Sequence, residues 1–183
     1  TIRPLHFERR GVGPAVMLLH GFTGCGPSMS EVSHALARDF EVITPDLPGH
    51  GRSIAADDGP VHSFDDCLDR LAATLEHVGR VRAHWIGYSM GARLALAFAV
   101  RFPERVASLL LVGARAGIEN ASERAARRRA DEALAGRIET DGIEAFVDEW
   151  LAQPLFASQQ RLGGEFVAAQ RRQRLDNDAR SLA

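Results

Sequence analysis

The sequence predicts an α/β fold in which a mostly parallel sheet is flanked by helices. Short apolar runs alternate with stretches of helical spacing through the first 117 residues, which is typical of strands joined by crossover helices. Turn-forming glycines and prolines separate these segments. After Gly117 the pattern changes to charged helices without strands. We therefore expect a core over residues 1–117 and a helical cap over residues 118–183.

Each element of this fold has its own local pattern. The expected strands lie at residues 14–23, 40–47, 82–88 and 106–114, with an edge strand within residues 1–10. The expected core helices lie at residues 28–38, 64–78 and 90–102. Ser63 is a suitable N-cap for the second helix, and the third is apolar on most faces, which predicts burial. The expected cap helices lie at residues 119–138, 142–150 and 165–174.

The composition excludes several classes of function. The net charge of −2 gives no reason to expect a nucleic-acid or membrane partner. All 22 basic residues are arginine, which excludes lysine chemistry. Cys25 and Cys67 are too few for a disulfide framework and lack the spacing of zinc ligands, and no cofactor-binding loop is found. We expect free thiols, no metal, no cofactor, no spanning or signal segment, and a cytoplasmic location.

Ser89 is the candidate nucleophile. It is the centre of Gly87-Tyr88-Ser89-Met90-Gly91, at a predicted junction of strand and helix where glycines permit a tight turn. A serine that merely caps the helix is the alternative. His20-Gly21-Phe22-Thr23 ends the first long strand, so the backbone N–H groups of Phe22 and Met90 are expected to form an oxyanion hole.

Three further polar residues lie in turn motifs before Ser89. They are His20, Asp46 and His50, and the last two belong to the segment Asp46-Leu47-Pro48-Gly49-His50-Gly51-Arg52-Ser53. Each could be taken for a member of a catalytic triad. We expect structural roles for all three, because they precede the serine in turns.

Together these motifs resemble the α/β-hydrolase superfamily, in which the triad follows the order Ser, then Asp or Glu, then His. All seven histidines of this chain precede Ser89, so the resemblance implies that the base is supplied from outside it. The last strands and helices of that fold are also missing here. The chain is then part of a longer enzyme, a shortened version of one, or a degenerate non-catalytic relative. Strand 106–114 would be an apolar edge, and we expect a second chain or segment to pair with it.

Further segments resemble the 2-succinyl-6-hydroxy-2,4-cyclohexadiene-1-carboxylate synthases of menaquinone biosynthesis. The matching segments are residues 20–24, 47–51, 87–95, 117–131, 146–150 and 153–158. One position differs, because Met29 stands where an aromatic residue is usual. The resemblance implies a lyase in which the serine removes a proton and pyruvate is expelled.

The resemblance also assigns residues to a small polycarboxylate substrate. Arginines bind carboxylates through a bidentate fork. The implied substrate-binding residues are Tyr88, Arg93, Arg127, Trp150 and Arg171. For Arg93, a buried ion pair is the alternative role. The alternative for Arg127 and Arg171 is a position on a solvated helix face. The alternative for Trp150 is ordinary packing. Two other functions stay open, namely a serine hydrolase of esters or carbon–carbon bonds, and a non-catalytic binding module.

Overall fold

The computed structural model describes residues 2–54 and 63–183, which form two compact units. The first unit, Thr1–Ala116, contains the sheet, and the second, Gly117–Ala183, is helical. The sequence predicted a division between residues 117 and 118, one residue from the division between the two units.

The sheet has the strand order β1-β3-β2-β4-β5 in the described part of the chain. The strands are β1 (Phe7–Arg10), β2 (Ala15–Leu19), β3 (Glu41–Pro45), β4 (Ala83–Tyr88) and β5 (Val106–Val112). β1 is antiparallel to β3, and the remaining pairs are parallel. The predicted strands and the mostly parallel sheet are confirmed.

Helices cover the sheet in the first unit. A short 3-10 helix (Gly26–Met29) leads into α1 (Ser30–Leu36), and α2 (Phe64–His77) and α3 (Met90–Arg101) follow. The predicted N-cap Ser63 is confirmed, since its side chain accepts a hydrogen bond from the Asp66 N–H. The helix predicted at residues 28–38 is shorter, since its first two residues belong to the 3-10 turn and α1 ends at Leu36.

The core of the first unit lies between β2, β4, α2 and α3. Met17 and Trp85 are fully buried and adjacent in register. Trp85 stacks on Phe98 of α3 with ring centroids 4.0 Å apart. All five residues of β2 are buried because neighbouring strands and helices cover both faces of this central strand.

Burial of α3 is only partial, contrary to the sequence prediction. Its buried residues are Gly91, Ala92, Leu94, Ala95 and Phe98. Val100 is 77% exposed and Arg93 is also exposed. The reason is that only part of the α3 surface packs on β2, β4, β5 and α2, so the apolar composition of this helix overestimates its burial.

β5 is the edge strand next to β4. Leu109 and Leu111 pack toward the core, whereas Leu110 is 56% and Val112 is 49% exposed. Within residues 2–54 and 63–183, β5 pairs with β4 and with no strand on its other side. The expected partner of this edge therefore stays a prediction.

An ion cluster joins β1, β3 and the turn after α2. Glu41 has a side chain only 3% exposed and binds Arg9 and Arg80, the latter at 2.6 Å. Burial alone would raise the pKa of Glu41, but the hydrogen bonds and charges of Arg80 and Arg9 outweigh burial and lower this pKa below its ordinary value.

The second unit is built from α4 (Ala121–Leu151), α5 (Gly164–Leu175) and α6 (Ala179–Leu182), with a 3-10 segment at Pro154–Leu162. Gly142 interrupts α4 with a φ of 82°, so the two predicted helices 119–138 and 142–150 are segments on either side of a kink. The sequence did not predict α6 or the 3-10 segment. Ile138 and Val147 of α4 are buried.

Candidate functional site

Ser89 lies in the sharp turn between β4 and α3. Its backbone has φ 53° and ψ −109°, a region that non-glycine residues rarely occupy. The Ser89 N–H donates to the Val112 carbonyl at 2.8 Å, and the Ser89 carbonyl accepts from the Arg93 N–H at 3.1 Å. The strained turn is therefore held by bonds to the neighbouring strand and to the first turn of α3.

The glycines on either side of Ser89 are required by close packing. A Cβ on Gly87 would lie 2.5 Å from the Gly91 carbonyl oxygen. A Cβ on Gly91 would lie 2.4 Å from the His20 carbonyl oxygen and 2.7 Å from that of Leu19. These are backbone atoms that cannot rotate away. The elbow is thus packed directly against the end of β2.

The loop after β2 lies beside the elbow. A Cβ built on Gly21 would be 3.4 Å from the Cβ of Ser89 and 2.9 Å from the ring of Tyr88. Phe22 follows in this loop, and Met90 is the first residue of α3, where a backbone N–H has no intrahelical partner. This arrangement fits the expected oxyanion donors.

The loop itself is a tight turn with an unusual residue. The Gly24 N–H donates to the Gly21 carbonyl at 3.0 Å, and Thr23 at the third position has φ 67°. A β-branched residue in this region is strained, and Thr23 is completely buried. Sequence reasoning missed this feature, since threonine gives no signal for a positive φ.

His20 joins this loop to the turn after β3. Its Nδ1 lies 2.8 Å from the Gly21 carbonyl oxygen, and its Nε2 accepts from the Leu47 N–H at 2.9 Å. Burial lowers the pKa of His20 to about 3, and the nearby His50 contributes a smaller lowering. The hydrogen bond to Gly21 raises this pKa, but by less. The ring is therefore neutral, and both of its nitrogens bind backbone groups, which agrees with the prediction that His20 is not a member of the triad.

Asp46 and His50 also have structural roles, as predicted. The Asp46 carboxylate accepts from the Gly26 N–H at 2.6 Å and the Arg52 N–H at 2.9 Å, which closes the turn. His50 is 4% exposed, and its Nδ1 lies 3.0 Å from the Pro48 carbonyl oxygen. Burial lowers the pKa of His50, while that hydrogen bond and the Asp46 charge act against the shift.

Two expected substrate-binding residues flank Ser89 in the first unit. Tyr88 precedes it and is 42% exposed. Arg93 lies one turn into α3 and is exposed, so the burial predicted for this helix does not extend to Arg93. In the described part of the chain its guanidinium has no ion pair, which excludes the alternative role in a buried pair there.

The other expected residues belong to the second unit. Arg127 is exposed and pairs with Asp131 at 2.8 Å. Arg171 binds both oxygens of Asp148, at 2.6 and 3.0 Å, and this hydrogen bond lowers the pKa of Asp148. Trp150 packs between the rings of Phe146 and Phe156. The substrate-binding roles of Arg127, Trp150 and Arg171 stay predictions.

A general base for Ser89 is not found in the described part of the chain. Among residues 2–54 and 63–183, no histidine is hydrogen-bonded to the Ser89 hydroxyl, and His62 lies outside them. Those same residues contain no cluster of His, Cys, Asp or Glu suited to a metal ion. No helix in the described ranges is both long and apolar enough to cross a membrane.

Comparison with known proteins gives a consistent result. A family model described as alpha/beta hydrolase fold matches residues 14–170. The 2-succinyl-6-hydroxy-2,4-cyclohexadiene-1-carboxylate synthase of Escherichia coli O1:K1 / APEC is 36% identical over 145 residues, covering 79% of this chain and 56% of that protein. A Bacillus subtilis (strain 168) protein provisionally given the same name is 40% identical over 176 residues, 96% of this chain. The chain spans 64% of the length of that relative.

Solved structures agree with the sequence relatives. The structure of MenH from S. aureus superposes with a TM-score of 0.88 at 30% identity, and the match covers 97% of this chain and 68% of that one.

Proposed function

We propose, on the premise that this chain belongs to the alpha/beta hydrolase fold family, that Ser89 is the reacting serine of a lyase. The observation that supports this most is the similarity, across 96% of the chain, to a protein provisionally named as a 2-succinyl-6-hydroxy-2,4-cyclohexadiene-1-carboxylate synthase. The strained turn at Ser89 and the adjacent Phe22 loop also support the proposal.

The proposed reaction is elimination of pyruvate from 2-succinyl-5-enolpyruvyl-6-hydroxy-3-cyclohexene-1-carboxylate. Ser89, as its alkoxide, takes the ring proton next to the succinyl carbonyl. The electron pair forms a new ring double bond, the existing double bond shifts, and the carbon–oxygen bond to the enolpyruvyl group breaks. The leaving enolate takes a proton and becomes pyruvate, and the ring becomes the conjugated diene.

Charge develops on the succinyl carbonyl oxygen during proton removal. The N–H groups of Phe22 and Met90 are proposed to stabilise this oxyanion. Loss of one such donor typically costs about 3–4 kcal/mol of barrier. Tyr88, Arg93, Arg127, Trp150 and Arg171 are proposed to bind the substrate, with the arginines pairing with its carboxylates. For Arg127 and Arg171, the substrate would compete with their aspartate partners.

The base that activates Ser89 is proposed to come from outside these residues, with the segment or second chain that completes the sheet. The exposed Leu110 and Val112 on β5 support this proposal, because a bare apolar edge strand favours pairing. The chain alone is then inactive. A cytoplasmic location is proposed from the free thiols of Cys25 and Cys67, which suit a reducing compartment.

Pyruvate release by the full-length gene product tests the proposal. Arg93→Ala is expected to lower kcat/KM about 10- to 100-fold, since a charged hydrogen bond contributes about 1.5–3 kcal/mol. Arg127→Ala is expected to act in the same direction. Arg128→Ala, one residue along the same exposed helix, is the matched control and should change little. Absence of pyruvate would overturn the proposal.

A serine hydrolase is the second candidate. A thermophilic esterase from Thermogutta terrifontis (malate bound) superposes with a TM-score of 0.82 at 29% identity, over 97% of this chain and 64% of that one. Under this alternative, ester cleavage would occur without pyruvate release, and Arg93→Ala would have little effect. A non-catalytic binding module would bind the polycarboxylate and show neither activity.

A further inference from the structure

The peptide unit between Gly21 and Phe22 is held on its carbonyl side by two donors. The His20 imidazole lies 2.8 Å from the Gly21 oxygen through Nδ1, and the Gly24 N–H donates to the same oxygen at 3.0 Å. No cis peptide bond occurs among the described residues. In a trans peptide the carbonyl and the N–H point in opposite directions. Fixing the Gly21 carbonyl therefore fixes the direction of the Phe22 N–H.

The tautomer of His20 follows from its other contact. The Leu47 N–H donates to Nε2 at 2.9 Å, so this nitrogen must present a lone pair. A neutral imidazole carries one proton, which is then on Nδ1 and directed at the Gly21 carbonyl. His20 is 1% exposed and its ring lies 5.2 Å from that of His50, so packing limits its rotation.

We propose that His20 is a positioning residue that aims the Phe22 N–H at the oxyanion beside Ser89. The imidazole acts through the peptide and contacts no substrate. A carbonyl that accepts two hydrogen bonds is polarised, which strengthens the N–H of the same peptide as a donor. The inference rests on the proposed function in one respect, since it needs a reaction that places negative charge on an oxygen at this site.

Two substitutions separate the two hydrogen bonds of His20. His20→Asn keeps a side-chain N–H near the position of Nδ1 and loses the acceptor for Leu47. His20→Gln can place its amide oxygen near Nε2 and loses the donor to Gly21. In the full-length gene product we expect the kcat of H20Q to be at least about tenfold below that of H20N, with KM similar, because a misdirected oxyanion donor weakens transition-state binding.

The same pair of changes at His34 provides the control. His34 is exposed on α1, and H34N and H34Q should have equal kcat. If His20 acted only in folding, the variant with the larger free energy of unfolding in urea would also have the higher kcat. If the kcat of H20N equals or falls below that of H20Q, the proposal is wrong.

Two further measurements keep this test apart from the proposed function. Hydrolysis of p-nitrophenyl acetate is measured alongside pyruvate release, since both would use the same oxyanion donors. If the wild type releases no pyruvate, the proposed function fails, and the role of His20 is judged from the hydrolysis of the ester.

Should a variant not fold or no activity be found, 15N NMR of the wild-type imidazole at pH 7 decides. A proton on Nδ1 supports the proposal, and a proton on Nε2 overturns it.

Discussion

At the scale of single residues, Ser89 combines a predicted chemical role with a backbone cost that its sequence motif does not display. A non-glycine residue with φ 53° and ψ −109° is strained by about 1–3 kcal/mol. The strain persists because β5 and α3 both bind this turn.

We expect Ser89→Gly to be more stable than Ser89→Ala by about 1 kcal/mol, as relief of strain exceeds the entropy that glycine adds to the unfolded chain. Urea unfolding measures the difference. The matched control is Ser30, which has an ordinary helical φ of −58°, so its glycine variant should be the less stable one. Equal stabilities of the two Ser89 variants would contradict the prediction.

The buried histidines give the stability a pH dependence. The pKa of His20 is lowered from 6.5 to about 3, and that of His50 is lowered too, so the unfolded chain binds more protons than the folded one below pH 6.5. The stability that both groups contribute is therefore full above about pH 6.5 and falls as the pH drops, by up to about 1.4 kcal/mol per pH unit for each group, and for His20 this loss continues to about pH 3.

Urea unfolding at pH 7.5 and pH 5 measures this loss. His20→Asn removes one titrating group and should make the difference between the two pH values smaller. His34→Asn, at an exposed position, should leave it unchanged. A wild-type protein equally stable at both pH values would contradict the assignment of buried neutral histidines.

At the scale of elements, the contact of α3 with β2 depends on the absence of one side chain. A Cβ at Gly91 would lie within 2.4 Å of a backbone oxygen, whereas nothing lies within 4 Å of a Cβ at Gly136 in α4. The two glycines are both helical, so they form a matched pair.

We expect Gly91→Ala to destabilise the protein by about 3 kcal/mol, because helix and strand must separate. Gly136→Ala should stabilise it by about 0.5–1 kcal/mol through helix propensity. Thermal unfolding of both variants checks the opposite signs. A neutral Gly91→Ala would mean that the elbow is less closely packed than described.

Local patterns predicted the elements well and their surroundings less well. Ser63 and the apolar run of β2 report on bonds within a few residues, so the sequence located them. Burial of α3 depends on which other segments cover it, and its composition carries no such information. The positive φ of Thr23 was likewise unpredictable, because tertiary packing imposes it against the preference of the residue.

At the scale of the whole molecule, β5 is the feature that most affects behaviour in solution. Leu110 and Val112 are about half exposed beside an unpaired strand edge in the described part of the chain. The sequence predicted this edge strand, and a partner for it stays a prediction.

We expect these 183 residues, expressed alone, to associate with rising concentration. Leu110→Lys should reduce the association, because a charge on an edge strand opposes pairing. Val12→Lys is the control, since Val12 is 84% exposed and outside the strands. Sedimentation velocity measures the effect, and a monodisperse wild-type monomer would contradict it.

The backbone of Ser89 also sets stability against the proposed chemistry. Replacement of Ser89 by glycine would relieve the backbone strain and remove the hydroxyl in the same step. On the proposed function, the glycine variant would be the more stable and the unreactive one, so folding and catalysis make opposite demands on this side chain.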